Sequence, residues 1–207
     1  MNVEVAGEVV CLHPERAVIW GDRALVADVH LGKGDAFRAR GLPLPPGELD
    51  DDLARLSSLG VSRLVVLGDL VHGPVSDHTE SRVREWRRAF GGEILLVVGN
   101  HDRHGVPASW EIDIAPGTPV DGPFTFAHEP QDRPGSFTWA GHVHPTATLR
   151  GLADRLRFPA FLVGPTQGIL PAFTRFSGGP SFRPNPSWRR FVTTGTVVIE
   201  LPLGVGG

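Results

Sequence analysis

Five times along this chain of 207 residues a strand-length apolar run stops abruptly at a polar cluster. Leu25-Val26-Ala27 runs into Asp28-Val29-His30, Leu64 to Gly68 into Asp69, Leu95 to Gly99 into Asn100-His101-Asp102, Phe124 to Ala127 into His128, and Phe137 to Gly141 into His142-Val143-His144. The buried strands of an open α/β fold end at a common crevice, and that is where such folds place their chemistry. The pattern therefore predicts a metal site whose ligands come from distant stretches of the chain. Asp28 and His30 lie two residues apart, so on extended backbone their side chains share one side. Asp69 has oxygens enough to bridge two ions, Asn100 offers a neutral carbonyl oxygen, His128 and His142 add nitrogens, and His144 can return to the first ion. Oxygen and nitrogen donors without sulfur suit manganese, iron or zinc and give calcium little reason to bind.

A lone buried histidine is ordinarily a hydrogen-bonded core residue, and a lone aspartate after a strand is ordinarily a helix cap. Seven such residues in one ordered set argue against coincidence. His13, His78 and His104 belong to no cluster and read as ordinary histidines. Lys33 is the only lysine beside 19 arginines and follows His30 by three positions. It is a candidate phosphate contact, as are His72 and Arg103, each of which closely follows a ligand motif.

The 41% apolar content, with 26 Gly and 19 Pro, fits one turn-rich domain over residues 1–207. No apolar run approaches the ~20 residues that a membrane helix needs. Met1-Asn2-Val3-Glu4 is not followed by a basic and then apolar leader, so a cytoplasmic location is the expectation. Cys11 is the single cysteine, which excludes an internal disulfide and a thiolate metal cage. The formal charge of -3 is unevenly spread. Residues 1–132 carry 12 Lys+Arg against 21 Asp+Glu, a balance of -9, whereas residues 133–207 carry 8 against 2, a balance of +6. A basic C-terminal third can support an anionic partner. There Arg183, Arg189 and Arg190 are interleaved with Phe182 and Trp188, which read either as phosphate and base contacts or as aromatics packed under arginine stems.

Periodicity predicts a hairpin of Val9 to Leu12 with Ala17 to Trp20, then a buried strand over Ala24 to Asp28. Helices are expected at Gly34 to Arg40, at Glu48 to Leu59 closing on Gly60, and at Asp77 to Phe90. The last two alternate with strands at Arg63 to Leu67 and Glu93 to Val98, a βαβαβ order that implies parallel pairing. Beyond residue 110 short strands dominate, at Val120 to His128, Ser136 to Ala140, Ala147 to Arg150, Arg157 to Val163 and Arg190 to Leu201, and predict a second, largely antiparallel sheet with helices on the outer faces. The Phe176 to Pro180 loop is expected to have a mobile tip at Gly178-Gly179.

Asp28-x-His30, Gly68-Asp69, Gly99-Asn100-His101-Asp102, His128 and Gly141-His142-x-His144 together resemble the motif set of the calcineurin-like metallophosphoesterases. The resemblance implies an α/β fold, a four-layer αββα sandwich of two mixed sheets flanked by helices. It implies one metal on Asp28, His30, Asp69 and His144 and a second on Asp69, Asn100, His128 and His142. Two cations ~3.5–4 Å apart would lower the pKa of a shared water, whose hydroxide attacks phosphorus. His101 is then the candidate to stabilise or protonate the departing oxygen, with Asp102 orienting its ring. Within the superfamily, Asp28 to Lys33, Phe37-Arg38, Gly41 with the Pro-rich stretch after it, Gly68 to His72, Leu170 to Phe173 and Phe176 to Gly179 are similar to the bacterial ligase-associated DNA-damage-response endonucleases, small manganese-dependent phosphodiesterases. That similarity implies manganese as the metal, DNA as substrate, and an association with a ligase and a helicase. Only 27 positions separate His101 from His128 and 14 separate His128 from His142, with no apolar insert to form a lipid-covering lid. A polar or polymeric diester is expected; the alternatives are a nucleotide pyrophosphate or cyclic-nucleotide hydrolase and, lowest, a non-catalytic scaffold, against which the complete ligand set stands.

Overall fold

The computed structural model describes residues 1–42, 46–150, 155–181 and 187–202. Two sheets face each other across a shared core. The first contains β1 (Asn2–Val5), β2 (Glu8–His13), β3 (Ala17–Trp20), β4 (Arg23–Val26), β5 (Arg63–Leu67), β6 (Glu93–Val97) and β7 (Asp113–Ile114), hydrogen-bonded in that order. Its first four strands form an antiparallel meander, and β4 through β7 are parallel. Helix α1 (Lys33–Ala39) and helix α2 (Glu48–Ser58) lie between β4 and β5, and α3 (Asp77–Phe90) lies between β5 and β6.

Continuous apolar runs in β4, β5 and β6 reflect strands that are covered on both faces. Leu25, Val65, Leu67 and Val97 enter the core between the sheets, whereas Ala24, Val26, Leu64, Val66, Ile94 and Leu96 enter a second core under the helices. Helix α2 answers with Leu49, Leu53 and Leu56 on one stripe and Leu59 just beyond, all buried there. Glu48, Asp50 and Asp51 sit in its first turn, where the helix dipole favours negative charge. Helix α3 starts on Ser76, whose Oγ accepts from the Thr79 N–H at 3.1 Å, and stops at Gly91 in the left-handed region. Its ends match the sequence-based expectation.

The second sheet runs β15 (Val198–Leu201), β14 (Arg189–Thr193), β12 (Arg155–Val163), β13 (Gln167–Ile169), β10 (Phe137–Ala140), β9 (Phe124–Phe126) and β8 (Val120–Asp121), with β11 (Thr146–Arg150) paired to β12 outside that path. The expectation of a largely antiparallel sheet holds at its outer strands, but β9, β10 and β13 are parallel. Gly122-Pro123 splits the long strand expected over Val120 to His128 into β8 and β9. The sheets meet through Phe124, Phe126, Phe137, Trp139, Phe161 and Phe191, all buried. The three α-helices among the described residues all belong to the first sheet. Among the described residues the outer face of the second is covered by a smaller cluster around Ala147, Ala160, Val192 and Leu201 and by no α-helix.

Candidate active site

Because β4, β5 and β6 are parallel, their carboxyl ends lie at one edge, and the same holds for β9 and β10. The parallel alignment continues past the strands, with Asp28 N–H donating to Gly68 O and His30 N–H to Asp69 O. The two sheets are joined at this edge: the His142 N–H reaches both Asp28 carboxylate oxygens, at 3.2 and 3.0 Å, and Phe173 N–H donates to Ala27 O. The backbone itself is unusual here. Of the eight non-glycine residues with positive φ among those described, five are Asp28 (55°), His30 (53°), Asp69 (52°), His142 (66°) and His144 (49°). Left-handed backbone costs an L-residue about 1 kcal/mol or more, and such outliers persist where function requires them. The strand geometry assumed for the pair Asp28 and His30 has therefore ended, and the left-handed turns aim their side chains instead.

Among the described residues donor atoms gather in three groups, one of which joins His30 to His72 and His101, and the other two hold the predicted ligands. Asp28, His30 and His144 form one, with His144 Nε2 at 3.1 Å from Asp28 Oδ1. Asp69, His128 and His142 form the other, and Asn100 joins it through Oδ1, 2.9 Å from His128 Nε2. The chemistry of the second group fits a cation. His128 Nδ1 lies 3.0 Å from Leu67 O and must donate its proton there, so Nε2 carries a lone pair. That lone pair faces the Asn100 oxygen and, at 3.1 Å, His142 Nδ1. The His128 Nε2 and Asn100 Oδ1 lone pairs, 2.9 Å apart beside the Asp69 carboxylate, face each other without a proton between them, and a divalent ion is a group that satisfies both. In the first group His30 is buried with Nδ1 lacking a partner, and burial, reinforced by the Lys33 charge and neighbouring imidazoles, pushes its pKa down to about 2. Its ring is neutral and available to a metal.

All seven predicted metal ligands thus meet at one edge. His101 is beside them, its side chain 40% exposed and its Nε2 4.0 Å from Asp69 Oδ2, while its N–H donates to Asp69 Oδ1 at 2.8 Å. His72 stacks on His101 with ring centroids 5.0 Å apart and meets His30 edge-on at 5.2 Å. Burial, followed by the nearby Lys33 and His101 charges, lowers its pKa to about 4. Lys33 opens α1 and donates from Nζ to Ser177 Oγ at 2.9 Å. Burial lowers its pKa against the opposing pull of Asp28 and Asp52. Arg103 is exposed, in the 3-10 turn Asn100–His104.

Asp102 has a different place from the one the sequence suggested. It is buried, its Oδ1 accepting from Val71 N–H at 3.1 Å and its Oδ2 from Gly99 N–H at 2.9 Å. Its carboxylate clamps the Asn100–His104 turn to the segment after Asp69 and is spent on backbone. Asp102→Asn leaves one of those N–H groups facing an amide hydrogen. The expected cost is about 1–3 kcal/mol, read as a lower melting temperature of the metal-free protein.

The remaining candidates are structural. Arg189 is paired with Glu200 at 2.7 Å and lies over the Phe191 ring, Arg190 is buried, and Trp188 packs on Gly164. Phe182 and Arg183 lie outside the described residues. His13 accepts from Glu15 N–H, and His78 lies beside Asp35. The Gly178-Gly179 loop is anchored near the site, Ser177 on Lys33 and Gly179 so close to His144 that an added Cβ would meet its carbonyl at 1.8 Å. A glycine this tightly packed was not recognisable as part of the site from its sequence context.

A family model for the calcineurin-like phosphoesterases matches residues 23–163, the segment that supplies every ligand. The chain belongs to the calcineurin-like phosphoesterase family. It is a phosphoesterase, a hydrolase whose family uses divalent metals. Its fold matches the crystal structure of Pseudomonas putida nuclease MPE at a TM-score of 0.85 and 34% identity, over 97% of this chain and 99% of that one. A protein of unknown function from Aquifex aeolicus is 17% identical, with a TM-score of 0.45 over 59% of this chain and 78% of that one. A Vps29 double mutant from Entamoeba histolytica is 14% identical, with a TM-score of 0.39 over 87% and 99%. No curated protein sequence is a significant match.

Proposed function

We propose that this phosphoesterase is a two-metal phosphodiesterase that cleaves DNA. The observation that carries the proposal is the convergence of two adjacent donor groups at an open sheet edge, in a chain 34% identical over 97% of its length to a nuclease. Asp28, His30, Asp69 and His144 would hold one ion and Asp69, Asn100, His128 and His142 the other, with Asp69 shared. Manganese suits these oxygen and nitrogen donors, with iron or zinc as alternatives. The ions when bound supply an activated water and neutralise charge on the phosphoryl oxygens. His101, partly exposed with Nε2 4.0 Å from Asp69 Oδ2, would give a proton to the departing oxygen. His72 backs the His101 ring, and Lys33 brings a fixed positive charge that favours a phosphate at the rim. A role in DNA repair beside a ligase and a helicase rests on the resemblance of the motifs alone.

His101→Ala is expected to keep two bound metals and lose about 10²–10⁴ in kcat. Elemental analysis together with turnover checks this; an inactive variant that had also lost its metals would refute the division of roles. The function itself is tested by stripping the protein, adding manganese back, and assaying a bis-aryl phosphodiester, the aryl monoester, single-stranded DNA, a cyclic nucleotide and a nucleotide pyrophosphate. Turnover of both the diester and DNA is expected. Monoester turnover alone rejects diesterase activity, and activity confined to the cyclic nucleotide or pyrophosphate moves the substrate to small nucleotides.

A further inference from the structure

A groove of about 510 Å³ opens directly from the second donor group, sharing Asn100 and His128 with it. It is lined by Val97 at the end of β6 with Val98 and Gly99 beyond it, by Gly117-Thr118, and by Glu129, Pro130 and Gln131 after His128. Arg103 stands on the same 3-10 turn as Asn100 and is the only cation among the lining residues. The walls differ in chemistry along the groove. Val98 is 47% exposed and offers an apolar face to the groove, and Pro130 supplies a second apolar surface. Glu129, Gln131 and Thr118 supply acceptors and donors. The Thr118 end is braced from behind, because Arg133 donates to Thr118 O at 3.3 Å and to Thr118 Oγ1 at 3.1 Å.

A volume of this size lies within the range of small-molecule pockets, roughly 300–1,000 Å³. An apolar surface for a ring face, amide and carboxylate groups for its edge, and one arginine for an anion is the donor set that a nucleotide requires. The reading rests on the DNA-cleaving function proposed above and specifies how the polymer is held. We propose that the groove is a subsite for the nucleotide flanking the scissile phosphodiester on the Asn100 and His128 side. The base lies against Val98 and Pro130 with Gln131 or Glu129 at its edge, and Arg103 contacts the next phosphate. Phosphate contacts position a strand without reading its sequence, so the subsite confers a preference for polymer over small diesters.

The test compares substrates within each variant. Val98→Asp puts a negative charge where the base would lie, and Arg103→Ala removes the phosphate contact. For each, kcat/KM is measured with manganese on a single-stranded hexanucleotide and on a bis-aryl phosphodiester, which has no flanking nucleotide. Fluorescence anisotropy of the labelled hexanucleotide on metal-stripped protein gives a readout independent of turnover, and the melting temperature verifies folding. The ratio of hexanucleotide to bis-aryl kcat/KM is expected to fall at least tenfold in either variant, with a matching loss of anisotropy. Val98→Ala serves as the milder second change, with a smaller shift in the same direction. An unchanged ratio in both Val98→Asp and Arg103→Ala overturns the subsite while leaving the nuclease reading intact. A parent protein that turns over the bis-aryl ester but no oligonucleotide overturns both.

Discussion

Asp69→Asn is expected to abolish phosphodiester turnover, by at least about 10²–10³-fold, while leaving the metal-free protein folded. Asp69 Oδ1 accepts the His101 N–H at 2.8 Å and lies 3.6 Å from His128 Nε2, so one oxygen serves both the backbone of the Asn100–His104 turn and the second donor group. Asparagine keeps an oxygen for the N–H, and the change in stability without metal is expected to stay within about 1 kcal/mol. It removes the negative charge and the second anionic oxygen on which the proposed sharing between two cations would depend. Bound metal per chain should drop from two to one or fewer. Turnover, elemental analysis and thermal melting of stripped protein together check this. A variant that retains two ions and full rate would remove Asp69 from the bridging position.

The second large effect lies in the glycines behind the ligands. Gly68 has φ +80°, and a Cβ there would fall 2.1 Å from His128 Nδ1 and 2.5 Å from its Cγ. The His128 ring is itself tied to Leu67 O, so neither partner can withdraw without breaking that bond. Gly68→Ala combines left-handed strain with a clash against a buried, held ring, and the expected loss is about 3 kcal/mol or more. For a protein of this size that lowers the melting temperature by roughly 6–12 °C. Metal binding should weaken as well, because His128 is displaced. Gly73→Ala is the matched control: its φ is +95°, yet an added Cβ meets nothing within 4 Å, so only backbone strain remains. Equal melting temperatures for the two variants would show that the ring gives way freely.

Gly99 and Gly141 repeat the arrangement, their added Cβ atoms falling 2.3 Å from Asp69 Oδ1 and 2.9 Å from Asp28 Oδ2. This accounts for the apolar-Gly-ligand pattern that made the site legible in the first place. The glycine ends the strand and also leaves the room into which the ligands pack. The helices were legible for a related reason: the leucine stripe of α2 and the Ser76 and Gly91 caps of α3 are local signals that the tertiary structure has no reason to override. Asp102 was less legible, because its neighbour His101 pointed to an orienting role while its oxygens were claimed by Val71 and Gly99. Arg189 and Arg190 were open to two readings, phosphate contacts or arginine stems packed with aromatics, and a hairpin partner and burial decided for the second.

The amino-acid sequence by itself determined which atoms are available: seven donors of oxygen and nitrogen, each placed at the end of an apolar run, in an order that also marks the family. Only the tertiary structure decided that they meet. Had β9 and β10 been antiparallel, as the short strands of the C-terminal half suggested, His128 and His142 would emerge at opposite edges of the sheet. They share an edge because Phe124 pairs with Phe137 and Phe126 with Trp139 in parallel register. The direction in which a short strand pairs is set by packing against distant residues, here the aromatic core between the sheets, and leaves little trace in three or four residues of local pattern. The left-handed turns that aim Asp28, His30, Asp69, His142 and His144 are of the same kind, conformations costly to each residue alone and held by the structure around them.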